Sequence, residues 1–516
     1  MTGSALIPFG LNWYQAFISI IIGNVIATVA VILNSLPGSY YHVGFPVFSR
    51  VVWGMWGSQF TIWNRIFLSL VWSEILNMYG FTAWVGGQCL HVMLLSWDPK
   101  LEEHIPNTIP DGTGMTTAQF VSYIIFSVIS LPLLYIRPHK LQKFFYVACT
   151  VTLVFFIVIL IWSLATMGPS GFGDTLSNES TLPATGGPMS VAWLMIYGIV
   201  STVGSIAAGI LNQSDYSRFS KQPRHAFWGQ TVSFPLYGIF GSLIGILVTA
   251  ATQDRFGGEA IWSPPTLFAR LIQDNPDHAG TRAAAFFAGL SLVVAQLGVN
   301  VCGNGIAGGF DLAAIFPKYI NIRRGAYITA LLSSVVNPWR LVNTATIFLV
   351  VLSSYSVFLA PMTGLMVASY MFVNKRKLSI DDMYSGGKES IYWYTAGLNW
   401  RAPVAWLIGV IPCMPGFIAA VTPNVTVTDG ATELYYMSYV YGFLSAGTVY
   451  ILLHRFFPAK AVDAFVSESP SPKELREATY GHWDVTLAET YDHLEATRLG
   501  GEKPAKKISA TPVTKV

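Results

Sequence analysis

A chain of 516 residues that is 53% hydrophobic and only 11% charged does not read as a soluble domain, in which about a quarter of the residues carry charge. The near balance of 30 Lys and Arg against 27 Asp and Glu excludes the concentrated basic face that a nucleic-acid partner demands. Four cysteines (Cys89, Cys149, Cys302 and Cys413) all lie in apolar stretches without metal-ligand spacing, so they read as packing residues and not as a disulfide framework.

In chain order, apolar windows of about 20 residues, the length that crosses a bilayer, predict about eleven spans. They lie near 13–33, 66–95, 118–136, 145–166, 190–211, 228–251, 284–307, 326–339, 345–373, 403–421 and 434–453. The opening MTGSALIPFG reads as the last turn of a helix, which predicts a chain that lacks a preceding span. The 66–95 run is about 45 Å long at 1.5 Å per residue, well over the roughly 30 Å hydrocarbon core. It contains Ser73-Glu74-Ile75-Leu76-Asn77-Met78, and removing those six residues leaves a span of ordinary length. They read as an insertion, with a proton-relay role for Glu74 as the alternative.

The loops alternate in charge. Basic loops at Arg137–Lys143, Arg218–Arg224, Lys318–Arg324 and Lys375–Lys377, together with a basic C-terminal segment, put the C-terminus in the cytoplasm by the positive-inside rule. The sequons at Asn178 and Asn424 then fall outside, where glycosylation occurs. Residues 1–455 are read as the transmembrane unit and 456–516 as a mostly disordered cytoplasmic tail, with at most a short helix near 485–498. Its lysines (Lys503, Lys506, Lys507 and Lys515) are candidate ubiquitylation sites, or simply a solvated tail attracted to anionic lipid.

The polar residues inside the spans are few. In YGFTAWVGGQC, 79–89, Trp84 and Gln88 are spaced i, i+4 and share a helix face, while Gly86 and Gly87 let a backbone or a small molecule come close. A flat polar ligand held at mid-membrane depth needs such a plate and carboxamide. In AQLGVNVCGNGIAGGFD, 295–311, Gln296, Asn300 and Asn304 form one stripe. Lipid does not tolerate three carboxamides, so the stripe faces protein or a cavity. Gln296 and Asn300 read as inter-helical hydrogen-bond glue, and Asn304, flanked by Gly303 and Gly305, as a ligand contact. Small residues from Gly204 to Gly209 predict a helix that unwinds in its middle. Asp215 and Arg218, at its cytoplasmic end, read equally as a gate ion pair or as a solvated terminus. No HExxH, GxSxG, Walker or paired-carboxylate motif points to an enzyme, and no filter loop or ring of charge points to a channel.

Seven segments in order carry a resemblance: FPVFSR (45–50), YGFTAWVGGQ (79–88), NQSDYSRFSK (212–221), AQLGVNVCGNGIAGGFD (295–311), SYSVFLAPMTGLMVASY (354–370), YWYTAGLNWRA (392–402) and IPCMPGF (411–417). From about Leu11 to Pro458 the chain resembles fungal nucleobase–cation symporters of the first family, in the branch of uracil, uridine and allantoin permeases. The resemblance implies an all-α membrane protein with an inverted five-helix-repeat transporter fold. About eleven of the family's twelve helices would be present here, the first being absent, and residues 73–78 have no counterpart. It implies substrate contacts at Trp84, Gln88 and Asn304. The position of a ligand-sandwiching tryptophan in a bacterial member falls on Ile206, beside Ala208, so that face is aliphatic. A sodium-binding Ser-Thr pair falls on Gly298-Val299, with Ala295 retained, which favours a proton as the coupling ion. Phe358 and Leu359 are placed as a possible gate. The implied activity is proton-coupled uptake of uracil, uridine or allantoin across the plasma membrane. Alternatives are thiamine or nicotinamide riboside transport, or a truncated product that does not transport.

Overall fold

The computed structural model describes residues 5–6, 10–70, 78–110, 113–168, 171–172, 187–259, 261–333, 345–422 and 424–480. Glu74, the rest of the suspected insertion up to Asn77, Asn178, the 485–498 segment and the tail lysines lie outside them. The helices are, in order, α1 Trp13–Tyr41, α2 Phe45–Trp53, α3 Ser58–Leu70, α4 Met78–Trp97, α5 Leu101–His104, α6 Thr117–Tyr135 and α7 Gln142–Ala165. There follow α8 Val191–Gly204, α9 Ala207–Leu211, α10 Ser214–Ser217, α11 Pro223–Gln253, α12 Pro264–Asp274, α13 Ala279–Val299, α14 Ala307–Ile315 and α15 Ile322–Ser333. The last group is α16 Ala345–Ala368, α17 Ile380–Tyr384, α18 Arg401–Val410, α19 Met414–Val421, α20 Asp429–Tyr436, α21 Ser438–Phe456, α22 Lys460–Glu468 and α23 Pro472–Tyr480. Among the described residues there is no β-strand, only an isolated bridge between Thr395 and Leu398.

Within the described residues, each of the eleven expected spans is mainly helical. By length and apolarity alone, seven helices among the described residues qualify as membrane-crossing, and an eighth if α20 and α21, bent by 79°, count as one span. One of the missing spans has a physical cause. Residues 191–211 are split at Ser205–Ile206 into α8 and α9, as the small residues there predicted, and the pieces are individually too short. The apolar side chains Val147, Val154, Val158 and Ile161 stand exposed along α7, a surface that only lipid solvates without penalty.

Three apolar cores organise the bundle. One gathers α1, α2, α16 and α21, and a second gathers α4, α6, α7, α12 and α13. A third lies where α1 meets α8 and α20. Phe81 of α4 packs against all three. Close approach is built from glycine. A Cβ on Gly364 would lie 2.2 Å from the Phe443 carbonyl oxygen, so α16 and α21 touch backbone to backbone. The free thiols divide: Cys89 and Cys413 are buried as packing residues, but Cys149 is exposed and Cys302 partly so.

The expectation of an unstructured segment from 456 onward does not hold for its first part. Helices α22 and α23 span 460–480, and α22 buries Val462 and Val466. The Lys377 ammonium donates to the carbonyls of Val466 at 2.8 Å and Ser469 at 2.7 Å. A cation at the end of a helix satisfies carbonyls that have no partner within it.

Candidate substrate-binding site

The stretch 79–89 forms the first half of α4. Gly86 and Gly87 do not face a ligand. A Cβ at Gly86 would meet the Phe126 ring at 2.3 Å, and one at Gly87 the Tyr123 backbone at 2.6 Å. The glycines are therefore the seat of α6, the backbone alternative of the two that the sequence left open. This contact turns the Trp84 ring onto Tyr123, with centroids 6.0 Å apart, and leaves Trp84 only 4% exposed.

Helix α13 packs on the neighbouring side of α4. Gly289 lies against the Cys89 carbonyl and Met93, while Asn300 lies against Thr82. The two helices thus run antiparallel, with Gln296 level with residues 84–86 of α4. After Val299 the helix widens into a π-helical turn over Asn300–Ile306, a distortion that recurs at functional sites. Within that turn the Thr82 hydroxyl donates to Asn300 Oδ1 at 2.5 Å. The Asn304 amide donates to Thr82 Oγ1 at 3.0 Å and to Asn300 Oδ1 at 3.2 Å. Tyr216, on α10, donates to the Cys302 carbonyl at 2.8 Å and ties the turn to the broken-helix segment.

Three buried carboxamide atoms in this slab have no hydrogen-bond partner among the described residues: Gln88 Nε2, Gln296 Oε1 and Asn300 Nδ2. Thr82 to Gln88 covers six residues, so the slab is about 9 Å deep along α4. Burying such atoms unpaired is costly, about 1–3 kcal/mol each. The set is a donor, an acceptor and a donor, shared between α4 and α13. Asn300 is thus both glue, as expected from sequence, and part of this set. Thr82 was missed, since a lone threonine in an apolar run gives no signal until the opposite helix is known.

The other expected site residues lie around this slab and are not all brought together. Ile206 stands in the break between α8 and α9, and it and Ala208 pack against the first core, whereas Trp84 belongs to the second. Asn34 caps the C-terminal end of α9 by donating to the carbonyls of Ile210 and Leu211, both at 2.7 Å. Leu359 is buried in the first core, and Phe358 packs edge-on against Phe417 at 5.6 Å.

Asp215 is fully buried and accepts the Phe45 N–H at 3.0 Å, at the positive N-terminal end of α2. Arg218 lies over the Phe310 ring at 4.6 Å. The solvated-terminus reading is therefore corrected for Asp215, which packing against α2 takes out of water, while Arg218 is half-buried over Phe310. A groove of about 420 Å³ lies elsewhere, between α7, α12 and α13, and contains none of these residues.

The family of permeases for cytosine/purines, uracil, thiamine and allantoin matches residues 1–442. The chain belongs to this family. It is 35% identical to the allantoin permease and 35% identical to the uracil permease of Saccharomyces cerevisiae, each match covering 88% of this chain and 70% of the relative. The thiamine transporter and nicotinamide riboside transporter 1 of the same yeast are 33% and 34% identical over 89% of this chain and 74% of each relative. Among solved structures, the closed, bromovinylhydantoin-bound form of Mhp1, a nucleobase-cation-symport-1 family transporter, is similar with a TM-score of 0.66. At 18% identity it covers 92% of both chains. That likeness carries the fold, an all-helical transporter fold in a multi-pass membrane protein.

Proposed function

We propose that this permease takes up a neutral pyrimidine or ureide, with uracil, uridine or allantoin as candidates, together with a proton at the plasma membrane, its C-terminus in the cytoplasm. The observation that carries the reading is the unpaired set Gln88 Nε2, Gln296 Oε1 and Asn300 Nδ2 on the facing helices α4 and α13. A uracil-like edge presents carbonyl, N–H and carbonyl in turn, the complement of donor, acceptor and donor. Trp84 supplies an apolar face for the ring, and Asn304, held by Thr82, closes the lower end of the slab. A site whose amides are satisfied only by such an edge rejects analogues that lack it, because its buried groups then stay unpaired. Thiamine and nicotinamide riboside are cations. The set is uncharged, which favours a neutral ring over them.

The test is uptake of labelled uracil by cells without their own permeases, competed by unlabelled uracil, uridine, allantoin and thiamine. Gln88→Ala and Asn304→Ala are expected to abolish uptake while the protein still reaches the cell surface. Normal uptake in both variants would sink the site assignment, and competition by thiamine alone would move the substrate to the cationic class.

A further inference from the structure

We infer that His91 and Glu102 form the site that binds the coupling proton. The inference rests on the proton-coupled reading above and adds the residues that carry it.

His91 stands at i+3 from Gln88 and i+7 from Trp84, so the three share one face of α4. Its ring is buried, 3% exposed, yet both nitrogens face oxygen. Nε2 lies 3.3 Å from Glu102 Oε1 on α5, and Nδ1 lies 3.4 Å from Ser122 Oγ on α6. The Ser122 hydroxyl already donates its hydrogen to the Ala118 carbonyl at 2.8 Å, so it meets Nδ1 as an acceptor. An ionised Glu102 is an acceptor only. With the Ser122 hydroxyl turned to Ala118, two acceptors face one ring, and the doubly protonated imidazolium donates to both. A neutral ring has one N–H, and it keeps both neighbours only if the Ser122 hydroxyl leaves the Ala118 carbonyl to donate to the bare nitrogen.

The step balances simply. Neutral His91 takes one proton, one N–H bond forms, and the charge of the pair goes from −1 to zero. Glu102 is 44% exposed on its side chain, so it connects solvent to the buried ring. The hydrogen bond from His91 also holds the Glu102 carboxyl below its usual range, which keeps it ionised as the counter-ion.

The surroundings leave this pair as the responsive group. Asp98 is engaged with His104 at 2.6 Å, and both are well exposed. Lys100 and Glu103 on the same turn are exposed. From α13, Arg282 is spent on the carbonyls of Ser96 and Trp97 at 2.8 and 2.7 Å. On α12, Arg270 and Asp274 are exposed and off its buried face. On α6 the titratable group that packs near is Tyr123, beside Trp84. From α15, Arg323 lies over Tyr135, at the opposite end of α6 from Ser122.

Proton and substrate thus act on one helix. A protonated His91 ties α4 to both α5 and α6, and a ligand on Gln88 bears on the same helix one turn away. If the ligand favours the tied arrangement, it raises proton affinity, and the proton raises ligand affinity by the same factor.

The experiment measures uptake of labelled uracil between about pH 5 and pH 8, where histidine changes charge, together with proton movement on substrate addition, in cells expressing the full chain. Wild type is expected to be stimulated by acid and to move protons with substrate. His91→Gln and Glu102→Gln are expected to lose both responses while still binding uracil when purified. If wild type is proton-coupled and His91→Gln keeps the same pH profile and proton movement, the inference is overturned and the proposed function stands. If wild type itself shows neither response, proton coupling falls and this site falls with it. Should His91→Gln not reach the membrane, Glu102→Gln and Ser122→Ala decide: an unchanged pH profile in both overturns the inference.

Discussion

Replacing Thr82 with valine removes one buried hydroxyl while keeping the branched shape of the side chain. That hydroxyl donates to Asn300 Oδ1 at 2.5 Å and accepts from the Asn304 amide at 3.0 Å. Two net hydrogen bonds are lost at about 0.5–1.5 kcal/mol each, offset by up to about 0.8 kcal/mol for the buried methyl that replaces oxygen. The expected loss of stability is therefore between about 0.2 and 3 kcal/mol. Asn304 loses its bond to Thr82 and keeps the longer 3.2 Å contact with Asn300, so its carboxamide gains rotameric freedom that substrate must remove again. Ordering one such side chain costs about 0.5–1.5 kcal/mol, which corresponds to roughly a two- to twelvefold rise in the KM for uracil. The assay is initial-rate uptake over a range of uracil concentrations, normalised to protein at the cell surface. Thr82→Ser, which restores the hydroxyl, is expected to recover most of the wild-type KM. An unchanged KM in Thr82→Val, or a Thr82→Ser variant as impaired as the valine, refutes the idea that Thr82 aims Asn304.

Gly87→Ala is expected to lower the thermal stability of the purified protein by about 1–3 kcal/mol through overpacking, because its Cβ would meet the Tyr123 backbone at 2.6 Å. Gly209→Ala, which meets nothing within 4 Å, serves as the control, and equal effects at both positions would refute the seating of α6 on α4. Lys377→Met removes two charge-assisted hydrogen bonds to the end of α22, worth about 1.5–3 kcal/mol each at most. Faster proteolytic cleavage near 459–470 is the expected readout, and unaltered cleavage would count against the docking. The turn at 98–105 is expected to loosen in acid. Glu102 has its carboxyl held low by His91, so its contribution is complete above the unfolded value of about 4.3 and fades as pH falls through the lowered value. Amide hydrogen exchange across 98–105 measures this, and Glu102→Gln should reduce the acid dependence, leaving the part that Asp98, held low by its bond to His104, contributes.

What the sequence determined by itself was the membrane, the helices and the family. Long apolar runs admit few other solutions in lipid, and seven ordered segments point to one family. It also singled out Trp84, Gln88 and the carboxamide stripe as candidates, because helical spacing alone puts Gln296, Asn300 and Asn304 on a common face. The break at Ser205–Ile206 was legible for a similar local reason, a run of small residues. What only the tertiary structure decided was which helix each face meets. Gly86 and Gly87 turned out to seat α6. Thr82 became the anchor of Asn304 only through the antiparallel packing of α4 on α13. His91, one scattered histidine among nine in the sequence, found acceptors on both sides only when α5 and α6 closed around it. Helical periodicity is a local property of the backbone, whereas hydrogen-bond partners 30 or 200 residues apart are set by packing, which no local pattern encodes.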